Sequence, residues 1–373
     1  MERLLITLIL VCTMNNITNA QNPFYGQYHT PHEAVPFDRI ETEHYEPAIL
    51  EGIKLQNAEI EAIIQNPEKA DFTNTIEAFE ESGKLLDKVV AVFGNMLSAE
   101  TNDDLQELAQ KIMPLLSEHS NNITLNEKLF ARVKEVYNQK ETLQLTQEQK
   151  QLLENAYNSF IRHGANLEGE AREEYRRLTT ELSKLTLTFS ENNLKETNAY
   201  QMLLTKKESL AGLPEIIIEA AAETAKNEEK EGWAFTLHAP SYIPFMTYSD
   251  NRDLRQKLYM AYNTKCTHDN EFNNIDIVKK IANTRMKIAQ LLGYKDYAEY
   301  TLKKRMAENS KSVYKLLNQL LEAYTPTAQQ EYKEIQELAR EEQGADFVVM
   351  PWDWSYYSCL LYTSDAADEE DSV

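Results

Sequence analysis

A mainly α-helical fold carrying one small β element is predicted for this chain by three observations. Only 10 of its 373 residues are glycine, against about 7% in an average chain, so the tight turns of an all-β fold and glycine-rich phosphate loops lack their usual residue. Apolar residues recur at intervals of three and four over long stretches, which is the spacing of one helical face. Hydrophobic residues make up 42% of the chain, including 12 Phe, 20 Tyr and 3 Trp, and both signs of charge are mixed along it. That composition argues against disorder, and the length suffices for two or three domains with a sizeable core. The excess of 60 acidic over 38 basic residues gives a net charge of −22, the wrong sign for a nucleic-acid partner.

The elements follow in chain order. Residues 4–11 form an apolar run behind Arg3, interrupted at Thr7; eight residues are too few to cross a bilayer, which needs about 20. A polar stretch follows, with small residues at Thr18 and Ala20, so residues 1–20 read as a secretory signal cut after Ala20. Export to the periplasm or beyond is the expectation. Val11 stands before Cys12 where a lipoprotein signal wants a small residue, so no membrane anchor is expected. Residues 37–205 read as successive amphipathic helices. Thr146-Gln-Glu-Gln149 starts one with a capping box, and Thr101-Asn-Asp-Asp104 puts acids into the first turn of another. Gly164 and the Asn192-Asn193 pair read as stops or bends. Tyr175, Leu178, Leu182, Leu185 and Phe189 line one helical face.

Residues 200–204 and 233–237 are short β-compatible runs expected to pair, with Leu213-Pro214-Glu215 opening a helix between them. Pro240-Ser-Tyr-Ile-Pro244 is expected to restrain the chain before a helix near Asp250. In residues 310–342, Val313, Leu316, Leu317, Leu320, Leu321 and Tyr324 mark another helical stripe, which reads as core. Were its cover missing, the stripe would lie exposed and promote association. No fixed-period repeat is present, so a solenoid is not supported. Residues 359–369, Cys-Leu-Leu-Tyr-Thr-Ser-Asp-Ala-Ala-Asp-Glu, resemble an in-frame translation of a transposase adapter used in DNA-sequencing libraries. The natural protein is then expected to continue past Ser358. The domain organisation read from these features is 1–20 signal, 21–244 helical lobe with the strand pair, 245–358 the start of a second domain, and 359–373 adapter.

Chemistry-bearing motifs are scarce. With Cys12 in the signal and Cys359 in the tail, Cys266 alone remains; it can form no internal disulfide and reads as structural. A zinc helix needs two His four apart with Glu between. His32-Glu33-Ala34-Val35 starts that way, but Pro36 stands where the second His belongs, and His44-Tyr45-Glu46-Pro47 fails alike. His163 and His238 are isolated and read as hydrogen-bonded structure. Glu168, Glu170, Glu173 and Glu174, with Arg172, Arg176 and Arg177, read as a solvated helix face. No nucleophile elbow, phosphate loop or dinucleotide fingerprint occurs. No residue is assigned as catalytic, metal-binding or cofactor-binding.

Several segments nonetheless resemble one family, the thimet oligopeptidase and neurolysin zinc peptidases, and in particular their bacterial dipeptidyl carboxypeptidase branch. The likeness is carried in order by Phe37-Asp38-Arg39-Ile40, Glu43-His44-Tyr45-Glu46-Pro47-Ala48, Asn74-Thr75-Ile76-Glu77, Arg162-His-Gly-Ala165 and Phe189-Ser-Glu-Asn192. It continues through Leu210-Ala-Gly-Leu-Pro-Glu215, Pro240-Ser-Tyr-Ile-Pro-Phe245, Asn251-Arg-Asp-Leu-Arg255, Leu292-Gly293-Tyr294 with Tyr297-Ala298, and Pro351-Trp-Asp-Trp354. The resemblance implies a multi-helical, two-lobed peptidase whose deep channel admits short unfolded peptides, with residues 245–358 opening the catalytic domain. It also implies one zinc ion in the intact protein, held by a His-Glu-x-x-His helix and a further Glu that follow the Pro-Trp-Asp-Trp segment. This sequence carries none of those residues, so it reads as truncated before the zinc-binding helix, inactive alone and without bound zinc. The alternative is a non-catalytic exported helical protein that binds peptides or acts as a scaffold. Oligomeric state is not legible.

Overall fold

The structure, a computed structural model, describes residues 22–370, with side chains to Tyr362; the expected signal at 1–20 lies outside the described residues. They are mostly helical, with one two-stranded antiparallel sheet. Two compact units result, one of residues up to Leu187 with Asn283–Tyr297, the other of Thr188–Ala282 with the residues from Ala298 onward.

In the first unit lie α1 (Thr42–Gln65), α2 (Lys84–Ala99), α3 (Asp103–Thr124), α4 (Glu127–Asn138) and α5 (Gln147–Arg162). Helix α6 (Gly169–Ala199) begins there and α10 (Ile275–Leu291) ends there. The α1 and α2 backbones come close where Gly52 meets Leu86; a Cβ at Gly52 would stand 2.9 Å from the Leu86 Cα. Phe24, Tyr45 and Phe93 pack through that core with tilted rings, centroids 5.4 and 5.2 Å apart. A second core gathers Phe72, Ile76, Leu129, Phe130, Leu153 and Phe160.

The caps follow the sequence. Thr146 and Gln149 form the reciprocal box at the start of α5, and Asn102 caps α3 with Asp103 and Asp104 in its first turn. Gly164, at φ +85°, stops α5: its N–H donates to the Ile161 carbonyl at 3.2 Å and that of Ala165 to the Phe160 carbonyl at 3.0 Å. This is a Schellman closure. Gly293 closes α10 the same way onto Gln290 and Ala289.

The second unit holds β1 (Gln201–Leu204), α7 (Glu215–Asn227), β2 (Trp233–Thr236), α8 (Ala239–Tyr248), α9 (Arg252–Asn263), all but the first residue of α11 (Tyr297–Leu302), α12 (Ser310–Gln343) and α13 (Trp354–Glu370). The strands pair as expected, with Met202 opposite Phe235 and Leu204 opposite Trp233. Phe235 and Phe245 pack edge to face, centroids 4.6 Å apart, at the centre of this core.

Two expectations need correction. Asn192-Asn193 does not end a helix, since α6 runs on to Ala199; the Asn192 amide donates to Asn274 Oδ1 at 2.9 Å, so its polarity meets a tertiary partner instead of competing for backbone. Pro240 to Pro244 restrains the chain from within α8, ahead of α9 at Arg252: Pro240 lies in the first turn of α8, where its missing N–H costs nothing, and Pro244 is tolerated inside. The stripe on α12 is helical but is not core. Leu316, Leu317, Leu321 and Tyr324 are each more than half exposed, because the buried positions of α12 among the described residues are Ile335, Gln336 and Ala339 alone.

Candidate functional site

The segments singled out by sequence turn out to be devices that hold the chain in place. Asn74 Oδ1 accepts from the Asp71 N–H at 3.0 Å and from the Arg132 guanidinium at 3.0 Å, while the Asn74 amide donates to the Lys69 carbonyl at 2.9 Å. His44 accepts the Glu41 N–H at 2.9 Å and so caps α1. His163 bonds the Ser159 carbonyl at 2.8 Å, and His238 lies between Thr236 and Asn198, 3.1 Å from each. His119 meets Gln56 at 2.7 Å, and burial holds its pKa down. Of the acidic helix face, Glu174 and Glu181 pair with Arg177, and Arg172 pairs with Glu127.

Two polar centres in the second unit stand out by burial. In the first, Asp353 of the Pro-Trp-Asp-Trp segment is fully buried and faces two arginines of the Asn-Arg-Asp-Leu-Arg segment at the start of α9. Arg252 reaches it through Nε, 3.0 Å from Oδ2, and Nη2, 2.7 Å from the same oxygen. Arg255, 2% exposed, donates Nη2 to Oδ1 at 2.9 Å, Nη1 to the Ser249 carbonyl at 2.7 Å and Nε to the Trp352 carbonyl at 3.3 Å. The Met350 N–H adds a bond to Oδ2 at 3.0 Å. Burial would push the Asp353 carboxyl up, but Arg252, the Met350 N–H and Arg255 together hold it below the usual carboxylate range. Arg252 lies over the Phe347 ring and Arg255 over that of Tyr356, each just over 4 Å from the centroid. Tyr356 in turn donates to Asp250 at 3.0 Å. Both Asp353 oxygens are taken up by arginine and backbone donors, so this centre fixes where the aromatic segment sits.

The second centre is Glu196, near the end of α6. It accepts the Cys266 N–H, His268 Nδ1 at 2.8 Å and the Asn270 amide at 3.1 Å. Burial would raise its carboxyl; the bonds from His268 and Cys266 lower it overall. Burial, and then Glu196, push the Cys266 thiol up to about 11. A thiol protonated at neutral pH is a poor nucleophile.

Sequence reasoning named both partners of the Asp353 centre but not their pairing, because residues 98 and 101 positions apart leave no spacing signal. Glu196 was missed outright. The residues present do not fit a zinc ion: among the described residues no group of three or more His, Cys, Asp or Glu comes together as a ligand set. No described helix is long and apolar enough to cross a membrane.

Comparison with known proteins gives consistent likenesses. Residues 245–370, which include both halves of the Asp353 centre, match Peptidase family M3. The chain is 34% identical over 338 residues to dipeptidyl carboxypeptidase of Escherichia coli strain K12, covering 90% of this chain and 50% of that protein. It is 31% identical over 333 residues to oligopeptidase A of the same strain, covering 88% of this chain and 49% of that protein. Dipeptidyl carboxypeptidase of Salmonella typhimurium is 33% identical over 338 residues, with 90% and 50% covered. The chain spans about half the length of the curated relatives it matches.

Proposed function

We propose, from the premise that this chain belongs to Peptidase family M3, in its dipeptidyl carboxypeptidase branch, that it is part of an exported zinc metallopeptidase that shortens small unfolded peptides. Release of dipeptides from peptide C-termini is the specific activity proposed. The observation that carries the reading is a continuous likeness over 90% of this chain to a dipeptidyl carboxypeptidase. The Asp353 centre supports it by bringing two of the segments that carry the resemblance into direct contact.

In this reading the described residues build and brace a wall of the peptide channel. Zinc in the intact enzyme would supply Lewis-acid activation of a peptide carbonyl and of water. The residues present offer no ligand set for it, so no step through the metal is assigned to them. The reading includes continuation of the natural protein past Ser358, with residues 359–373 not native to it.

The test is the source DNA, read across the Tyr357–Cys359 junction, together with dipeptide release from a short blocked peptide. The expected results are a frame that continues into His-Glu-x-x-His with a downstream Glu, release by the longer product, and none by the 373-residue chain with added zinc. A genomic frame that encodes residues 359–373 and stops would overturn the reading in favour of a non-catalytic binding protein. Export is checked separately: N-terminal sequencing of protein from the source is expected to begin at Gln21, and retention of Met1 or Glu2 would reject it.

A further inference from the structure

An open groove of about 670 Å³ runs between α1 and α2 of the first unit. Leu55 of α1, Leu85 of α2 and the preceding Phe24 and Tyr25 give it an apolar lining. Its charged lining is Lys54, Lys84 and Lys88 against Glu51 alone, an excess of two positive charges in a chain that carries −22 overall. The three lysines are not equivalent. Lys54 reaches both Glu51 oxygens at 2.9 Å, and Lys84 pairs with Glu81. Lys88 pairs with no carboxylate among the described residues. Its Nζ donates to the Gly26 carbonyl at 3.0 Å and lies 4.3 Å from the centre of the Tyr28 ring. Half-buried and without a counter-charge, its ammonium is pulled below the usual lysine range by burial. An ammonium has three donors, so Lys88 keeps capacity for a further acceptor.

We propose that this groove binds the C-terminal carboxylate of a short peptide whose last side chain is apolar. The carboxylate meets Lys88, and the side chain lies against Leu55 and Leu85. Three features select that occupant. The volume falls within the roughly 300–1,000 Å³ of small-ligand sites. An anion supplies the counter-charge that Lys88 lacks, and a charge-assisted bond to a carboxylate is stronger than one to a neutral acceptor. The groove is open, so a longer chain can leave it for solvent and only its last residue need be recognised. Choosing a peptide rests on the reading of the chain as part of a peptidase; the charge and lining of the groove do not.

The test is lysine footprinting of the full 373-residue chain, with a limiting amine-acetylating reagent and mass spectrometry. The probe is N-acetyl-leucyl-phenylalanine, compared with its C-terminal amide at equal concentration. Acetylation of Lys88 is expected to slow saturably with the acid, by at least about threefold, and not with the amide. Exposed Lys134 on α4 is expected to keep its rate with both. Leu55→Asp is expected to abolish the protection; Leu50→Asp, equally on α1 and exposed but outside the groove, is expected to leave it. The comparison of acid with amide needs no variant, so it decides the matter even if one misfolds. Equal slowing by acid and amide, slowing at Lys134 alongside Lys88, or no slowing at all would overturn the proposal. Octanoate protecting Lys88 as well as the peptide acid does would assign the groove to a free alkyl carboxylate and overturn it too. Dipeptide release and the source reading frame test the peptidase reading without involving Lys88. Loss of that reading with Lys88 still protected leaves the groove standing, and loss of protection with the reading intact removes the groove alone.

Discussion

Replacing Asp353 with Asn is expected to destabilise the second unit by about 3–5 kcal/mol, the cost of leaving a buried charge without its partner. The substitution keeps the shape of the side chain and one acceptor oxygen. It removes the negative charge that Arg252 and Arg255 share. Arg252 can turn to water, because 38% of its side chain is exposed; Arg255 cannot, at 2%. The cost therefore falls on Arg255, and Arg252→Met is expected to cost only on the order of 1 kcal/mol. All three tryptophans, Trp233, Trp352 and Trp354, lie in the second unit. Their fluorescence during urea unfolding thus reads this unit without a contribution from the other, which matters where two units need not unfold together. An Asp353→Asn midpoint equal to the parent's would show that the centre is not a latch.

The pH dependence gives the same centre a second signature. The folded carboxyl of Asp353 is held below its usual range, so its contribution to stability is fully present above the unfolded pKa of about 3.9 and is lost as pH falls through the folded value. The difference between parent and Asp353→Asn should be constant near neutrality and should shrink below about pH 4. A difference that instead shrinks as pH rises from 6 to 8 would point to a histidine or to the protein's overall charge.

Local physics made much of this architecture legible. Gly164 reads as a stop because a left-handed residue must follow a helix that ends there, and Thr146 with Gln149 reads as a start because two orphan N–H groups need acceptors. The strand pair was readable from two short β-compatible runs flanking a Pro-initiated helix. What failed were inferences in which a side chain's partner is remote. Asn192 resembles a helix stop until Asn274 is known to face it. The α12 stripe reads as core because sequence records amphipathicity, not whether a cover is present. The candidate site divides in the same way: the Asn-Arg-Asp-Leu-Arg and Pro-Trp-Asp-Trp segments were recognisable, but their meeting through Asp353 is a tertiary fact.

Substituting Gly212 with Ala is expected to destabilise the second unit strongly, for two independent reasons. Its φ of +82° lies in the left-handed region, where a side chain costs about 1–2 kcal/mol. A Cβ there would also stand 2.2 Å from the Tyr248 carbonyl oxygen and 2.5 Å from Asp250 Oδ1. The Tyr248 oxygen is backbone at the end of α8 and cannot swing aside. Residues 210–213 must then separate from 248–250, which strains the bond from the Asp250 N–H to the Ala211 carbonyl, now 3.0 Å. It also disturbs the Asp250 carboxylate that accepts from Tyr356, and Tyr356 covers Arg255 of the Asp353 centre. Overpacking of this kind adds about 1–3 kcal/mol, for a total of about 2–5. The contrast is Gly94, inside α2 with no atom within 4 Å of a Cβ; Gly94→Ala should stabilise its unit by about 0.5–1 kcal/mol by improving helix propensity. Tryptophan fluorescence reads the first substitution and far-ultraviolet circular dichroism the second. If both variants unfold at the parent's midpoint, close approach at Gly212 is not what holds this part of the chain, and the Leu-Ala-Gly-Leu-Pro-Glu segment owes its place to Leu210 and Leu213 in the apolar core instead.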